Sequence, residues 1–483
     1  MKTFPALLIV ASLTGAAGLW AAPGCSSAPA SNFGGGGDSG DSDAGIIDPA
    51  DEDGGGLIIN GDAAVDVVTC TGLECQVVNC SNGNHTTISG TVYDPMGRNP
   101  LYNVYVYVPN APLLDIASGA VCTSCQAPAS GSPLPSAVQT DAKGHFTIVD
   151  APVGTNIPLV MQLGKFRRVI TIPSVPQCVD TALGKKDGSG FETITRLPKK
   201  QKEGSPFDNL PQLAMATGGC DKLECLMRKI GIDDSEFSAA GRVHLFTGSG
   251  GASGPGSKDA YAFWANKAEL TKHDIVINSC ECSPVDRKPQ GYQAMHDYVN
   301  GGGRLFGTHY HYNWFAPGNG QADFNSTAQW LAPGPSNGPP WYINTTFPKG
   351  VAFDAWVQNV FKGAPPSKGQ ITLDYAAHDV GIVTGATTPW IYYGDQNLKN
   401  KAYNTAYLSF NAPVNAQPAA QCGLAVFSDL HVSSGGGSLG PLGDCGDAKA
   451  AMTQQEAALE FLFFDLSSCV GDPTKPPPPP PPN

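Results

Sequence analysis

The stretch YQAMHDYVNGGGRLFGTHYHYNWF, residues 292–315, changes its hydrophobic period twice. Tyr292, Met295, Tyr298 and Val299 recur at helical spacing, three glycines stop that helix, and RLFGT then reads as a short buried strand. THYHYNWF is the bend that follows. Upstream the same alternation repeats. LPQLAMATG (210–218) is an apolar strand, and CDKLECLMRKIG (220–231) spaces Leu223, Leu226, Met227 and Ile230 as a helix face. RVHLFTG (242–248) and HDIVINSCE (273–281) are further strands. Strands alternating with helices predict a doubly wound parallel sheet, which binds ligands at the carboxyl ends of its strands. Those ends carry Thr217, Gly218, Thr247, Ser249, Cys280, Glu281, His309 and His311.

The order strand, helix, GGG, strand, G-x-H resembles the ThuA-like branch of the class I glutamine amidotransferase-like fold. DIVINSCE (274–281), YQAMHDYVNGGGRLFGTH (292–309) and CGLAVFSDLHV (422–432) carry the resemblance, over residues 207–470 with an insertion near 316–420. Amidotransferases place a cysteine at the turn after this strand, where this chain has Gly307-Thr308-His309-Tyr310-His311. The resemblance therefore implies an α/β domain without glutamine hydrolysis by the usual route.

The histidines open a second chemistry. On an extended strand His309 and His311 would share a face, and with His431 they could ligate zinc or another divalent metal. Asp429 and Glu281 could serve as an acid and base pair, and His378-Asp379 adds further donors. The preferred reading over a metal is that these histidines, with Tyr310, Tyr312, Trp314 and Phe315, line a polar and aromatic pocket or form satisfied hydrogen bonds. Cys280 and Cys282 flank Glu281, whose charge works against a reactive thiolate, so each is expected in a disulfide with a distant partner. The insertion holds Trp330, Trp341, Trp356 and Trp390, and the strands QITLDYAAH, TTPWIYYG and TAYLSFN. These are expected to pack a cap over the sheet; stacking on a carbohydrate is the alternative.

Residues 67–180 have a different pattern. TISGTVYDP, NVYVYVP, VQTDAKGHFTIVDAP, IPLVMQLG and FRRVITIP are short strands between turns, as in a small antiparallel β-sandwich. The segment resembles the carboxypeptidase regulatory-like, or transthyretin-like, domain. His145 reads as an ordinary strand residue, Cys122-x-x-Cys125 as a staple within a loop, and residues 181–206 as a polar linker. The fold class expected is thus mixed: a small antiparallel sandwich plus a doubly wound α/β domain with a loop-rich insertion.

The remaining segments bear on location. Residues 1–24 order a lysine, an apolar run and small residues as an export signal does, and AAPGC resembles a lipobox with Cys25 as the lipidated residue. Residues 25–66 are an acidic Gly/Ser/Asp tether that cannot bury enough apolar surface to fold, and 471–483 form a polyproline tail. Much of the net charge of −13 lies in the tether, and no basic patch argues for nucleic acid. Fourteen cysteines in an exported chain favour disulfides, and with Cys25 lipidated one thiol must remain over. The expected role is that of a lipid-anchored protein at the outer membrane or cell surface, otherwise periplasmic or secreted. It would bind or scaffold an envelope component or carbohydrate. The alternative is an extracytoplasmic hydrolase or carbohydrate-active enzyme using His309, His311, His431, Asp429 and Glu281, with or without a metal.

Overall fold

Four short runs in the computed structural model, Leu213–Thr217, Ile275–Asn278, Arg304–Thr308 and Gly423–Ser428, are buried at every position. Continuous burial is what a parallel strand covered on both faces requires. The structure describes residues 70–479, apart from 123–124, 126–128, 255, 285–287, 319–320, 332–339, 375, 378, 394–403 and 433–444. The export signal, Cys25 and the tether lie outside the described residues, as does His378. No helix among the described residues is long and apolar enough to cross a membrane.

With Val243–Thr247 and Lys258–Asp259, the four runs form six adjacent parallel strands. Side chains alternate between the faces. Leu213, Met215, Ile277, Phe306 and Val426 join one apolar cluster, while Ala214, Ala216, Val276, Leu305 and Phe427 join another. The helix Lys288–Asn300 covers the second face with Tyr292, Met295, Tyr298 and Val299. It ends at the three glycines for a steric reason. Gly302 has φ +107°, and a Cβ on Gly303 would fall 2.4 Å from the Tyr298 ring.

The insertion corrects one expectation. Asn404–Ala412, Thr387–Tyr393, Trp341–Ile343 and Gln370–Ile371 do not form a cap; they extend the same sheet antiparallel from Gly423–Ser428 to ten strands. Trp341, Trp356 and Trp390 are at most 2% exposed and pack inside this layer, which removes them as faces for a sugar ring.

In the sandwich, one sheet orders Pro133–Gln139, Tyr105–Pro109, Gly154–Leu163 and Phe166–Val175 antiparallel. The other centres on Thr87–Thr91, which pairs antiparallel with His145–Val149 and, unlike the all-antiparallel expectation, parallel with Asp180–Ala182. His145 is an exposed strand residue. The stretch 181–206 is packed: buried Glu192 accepts the backbone N–H groups of Lys185, Thr193 and Ile194, and Glu203 pairs with Arg168 and Arg196. The tail turns back onto the sandwich, where the Pro478 carbonyl accepts from the Tyr105 hydroxyl and the Gln139 amide.

Sandwich and α/β sheet share a core. Ile88, Val106, Leu159 and Phe166 belong to the same apolar cluster as Leu213, Ile277 and Phe461. The helix Gln454–Ser467, begun by a capping box between Thr453 and Glu456, lies at this junction. Phe166 packs edge-on against Phe463 and Phe464, and Trp356 Nε1 donates to the Pro100 carbonyl at 2.6 Å.

Six disulfides pair Cys70–Cys75, Cys80–Cys178, Cys122–Cys422, Cys125–Cys469, Cys220–Cys282 and Cys225–Cys445. Bridges in this number belong to an oxidising, extracytoplasmic compartment. Cys122 and Cys125 staple no local loop; each reaches across to the α/β sheet's own segments. Cys280 is the one cysteine among the described residues left as a thiol, against the expectation of a distant partner.

Candidate functional site

The parallel strands end in register on small polar residues, Thr217 beside Thr247 and Thr308 beside Ser428, with Asn278 between. Beyond this row the backbones crowd together. A Cβ on Gly218 would fall 2.1 Å from the Cys280 carbonyl oxygen, so only glycine lets the two loops approach this closely. The Cys220–Cys282 bridge ties those same loops.

After Thr308 the chain does not stay extended. His309–Trp314 is a 3₁₀ turn, and His309 itself sits at φ +41°, a left-handed conformation that costs a non-glycine residue of order 1 kcal/mol or more. The two histidines therefore do not share a face, as alternation on a strand would have required. His309 projects to the strand ends, and His311 turns back under them.

His311 is completely buried and held at both nitrogens. Nδ1 accepts from Trp314 Nε1 at 3.1 Å, so Nε2 carries the proton and donates to the Ser279 carbonyl at 2.9 Å. Replacing His311 with alanine is expected to cost about 2–4 kcal/mol, because it leaves a buried indole N–H and a buried carbonyl without these partners. Urea unfolding reads this directly, and an alanine variant as stable as the parent would contradict the assignment of His311 to the core.

His309 meets different neighbours. Its Nδ1 lies 3.4 Å from Cys280 Sγ and 3.0 Å from His431 Nε2, and its Nε2 lies 3.8 Å from Asp379 Oδ2. The donor atoms of Cys280, His309 and His431 all fall within 4.8 Å of one another. Of the metal set expected from sequence, His309 and His431 are brought together, and Cys280 stands where His311 was expected. The Cys280 backbone N–H is fixed by Thr308 Oγ1 at 3.0 Å, and Val432, next to His431, donates its N–H to Asp221 Oδ1 at 2.8 Å.

The carboxylates also regroup. Asp429 meets Asp379, accepting its backbone N–H at 3.1 Å, because the antiparallel bridge Ala376–Leu430 lays that part of the insertion across the strand ends. Glu281, the partner expected for Asp429, instead accepts from the Ser249 N–H at 2.8 Å and the Tyr261 hydroxyl at 3.2 Å. Asp379 and Asp221 are site residues that sequence reading undervalued.

Burial dominates the electrostatics. It pushes the Cys280 thiol up to about 12 and the His309 imidazole down to about 3, the latter aided by His431. Burial also raises Asp379 to about 7, and raises Asp221 and, with Asp379 beside it, Asp429. A neutral thiol beside a neutral imidazole is not a thiolate and imidazolium pair, so these two groups alone do not make an activated nucleophile. What the cluster offers is one sulfur and two nitrogens in a buried, carboxyl-rich setting.

No protein-family model matches the chain, and no curated protein matches it. Among solved structures, one similar chain is a ThuA-like protein from Bacteroides uniformis ATCC 8492, at 10% identity and a TM-score of 0.29, covering 54% of this chain and 94% of that one. So distant a likeness assigns no residue and no activity.

Proposed function

We propose that the chain is an exported, lipid-anchored envelope protein in which a ThuA-like α/β sheet and a carboxypeptidase regulatory-like sandwich share one core, with a binding role at the strand ends. The observation that carries the binding role is the bend. Where an amidotransferase presents a cysteine nucleophile, this chain holds His309, 8% exposed and turned onto Cys280 and His431. A hydrolase using His309, His431 and Asp429 is the second reading, favoured by the convergence of donors. A substrate-processing site also needs a coordination position open to substrate, and Cys280, His309 and His431 are at most 8% exposed, which favours binding. The anchor rests on AAPGC, and the six disulfides support export.

Fractionation of cells expressing the parent and Cys25→Ser tests the location. The parent is expected in the membrane fraction as a processed form, and Cys25→Ser as an unprocessed precursor. Normal maturation of Cys25→Ser would remove the anchor and leave export standing; a cytoplasmic parent would remove both. A purified parent that hydrolyses glutamine would overturn the binding role.

A further inference from the structure

Taking the strand ends as a binding site, we infer that their ligand is a single zinc-class ion held by the Cys280 thiolate, His309 Nδ1 and His431 Nε2. Around one tetrahedral zinc, two imidazole nitrogens stand about 3.3 Å apart and a nitrogen and a sulfur about 3.6 Å. The corresponding separations from His309 Nδ1 are 3.0 Å and 3.4 Å, and the third, between Cys280 and His431, falls within 4.8 Å, so closing all three donors on one ion takes side-chain shifts of up to about 1 Å.

Each imidazole also has its outer nitrogen placed as a ligand needs it. His431 turns Nδ1 to the Cys220 carbonyl at 3.3 Å, which leaves Nε2 as a lone pair toward the cluster. His309 Nε2 lies 3.8 Å from Asp379 Oδ2, beyond hydrogen-bond distance, so an ion taking the Nδ1 lone pair would leave the Nε2 proton facing that unpartnered oxygen. An oxygen acceptor behind a ring, bonded already at His431 and a short movement away at His309, is what orients metal-bound histidines and raises their basicity. Hydrogen bonding alone serves this geometry poorly, since His309 Nδ1 faces both the sulfur and the second imidazole and has one proton or one lone pair to give.

A second observation is independent of the three donors. Both carboxyl oxygens of Asp379, with Asp221 Oδ2 and Asp429 Oδ1, are buried without a hydrogen-bond partner. Buried acceptors left in this way are unfavourable, and a divalent cation among them supplies the compensating charge. One thiolate with two imidazoles suits zinc, whereas magnesium and calcium prefer an all-oxygen set. Binding displaces the thiol proton to solvent, so one proton leaves for each ion bound at this sulfur.

The purified full-length protein, stripped with chelator and titrated with Zn²⁺, tests the inference. One zinc per chain is expected, and Co²⁺ in its place should show a thiolate-to-cobalt charge-transfer band. Cys280→Ser should abolish that band. His431→Ala should weaken zinc by more than about 100-fold, beyond the 10–100-fold usual for an outer-shell change. His296→Ala, which removes a histidine paired with Asp323 instead, should leave the affinity unchanged. Should the site variants fail to fold, the parent alone still decides: alkylation of Cys280, followed by peptide mass spectrometry, should be slow with zinc and accelerate on chelation. No stoichiometric zinc, a cobalt complex lacking the band, or a Cys280 labelling rate indifferent to chelator would each overturn the ion. Correct processing and export of the same protein would leave the proposed location standing, and no glutamine hydrolysis by it would leave the binding role standing, whatever the zinc result.

Discussion

A protein lacking both the Cys122–Cys422 and Cys125–Cys469 bridges, with all four cysteines changed to serine, is expected not to fold stably at 37 °C, while a protein lacking one bridge folds with reduced stability. The bridges close loops spanning 300 and 344 residues, yet they interleave, with both first cysteines close together and both partners close together. With either in place, the other closes a remaining loop of about fifty residues, which on the chain-entropy argument is worth about 4 kcal/mol. Losing both also releases the long closure, so the combined cost rises to roughly 10 kcal/mol, an upper figure because the other bridges already shorten that loop. A domain's whole stability is commonly about 5–15 kcal/mol. Denaturant unfolding of the two single-bridge proteins and the bridgeless one measures this. Three proteins of equal stability would show that the shared apolar core alone fastens the sandwich to the sheet.

The second large effect is on pH. Asp94 in the sandwich and Glu460 in the C-terminal helix are fully buried against each other, with the Asn99 amide donating to Glu460 Oε2 at 2.5 Å. Burial raises Asp94 to about 6, and burial together with Asp94 raises Glu460 further. In the unfolded chain both carboxyls lose their protons near pH 4. Above that pH the folded state holds more protons than the unfolded state, so stability is fullest below about pH 4 and is lost as pH rises through 6 and beyond. Raising one carboxyl from near 4 to about 6 corresponds to about 3 kcal/mol. Glu460→Gln lets an amide donate to an ionised Asp94, so the variant should gain about 1–3 kcal/mol on the parent at pH 7.5 and nothing at pH 4. Asp379 and Asp429 shift in the same direction, and the difference between the two proteins at each pH removes their contribution. Parallel stability curves for parent and variant would show that the pair is not the source.

The sequence made the sheet legible because buried parallel strands, helix faces and glycine stops leave local marks: RLFGT, IVIN and the glycines at 301–303 lie where their patterns put them. The strands of the insertion were legible as strands and not in their pairing, which depends on partners far along the chain. His309 was legible as the residue at the bend. Its neighbours were not, since a 3₁₀ turn and an extended strand with the same His-Tyr-His send the second histidine in opposite directions. Cys280 was hidden for a different reason: among so many cysteines no spacing marks the one that stays reduced. Asp379 was hidden because an isolated bridge at Ala376 and Leu430, which has no sequence signature, carries it to the site.

The interleaved bridges also set a problem in time. Cys122 and Cys125 enter the oxidising compartment almost together, and their partners follow 300 and 344 residues later. During that interval the nearest thiol to each is the other, so a Cys122–Cys125 bridge is the product that proximity favours. Reaching the native pairs then requires thiol–disulfide exchange once the last strands and the C-terminal helix arrive. Maturation of this chain is accordingly tied to the disulfide-exchanging capacity of the compartment where it folds, as well as to that compartment's oxidising power.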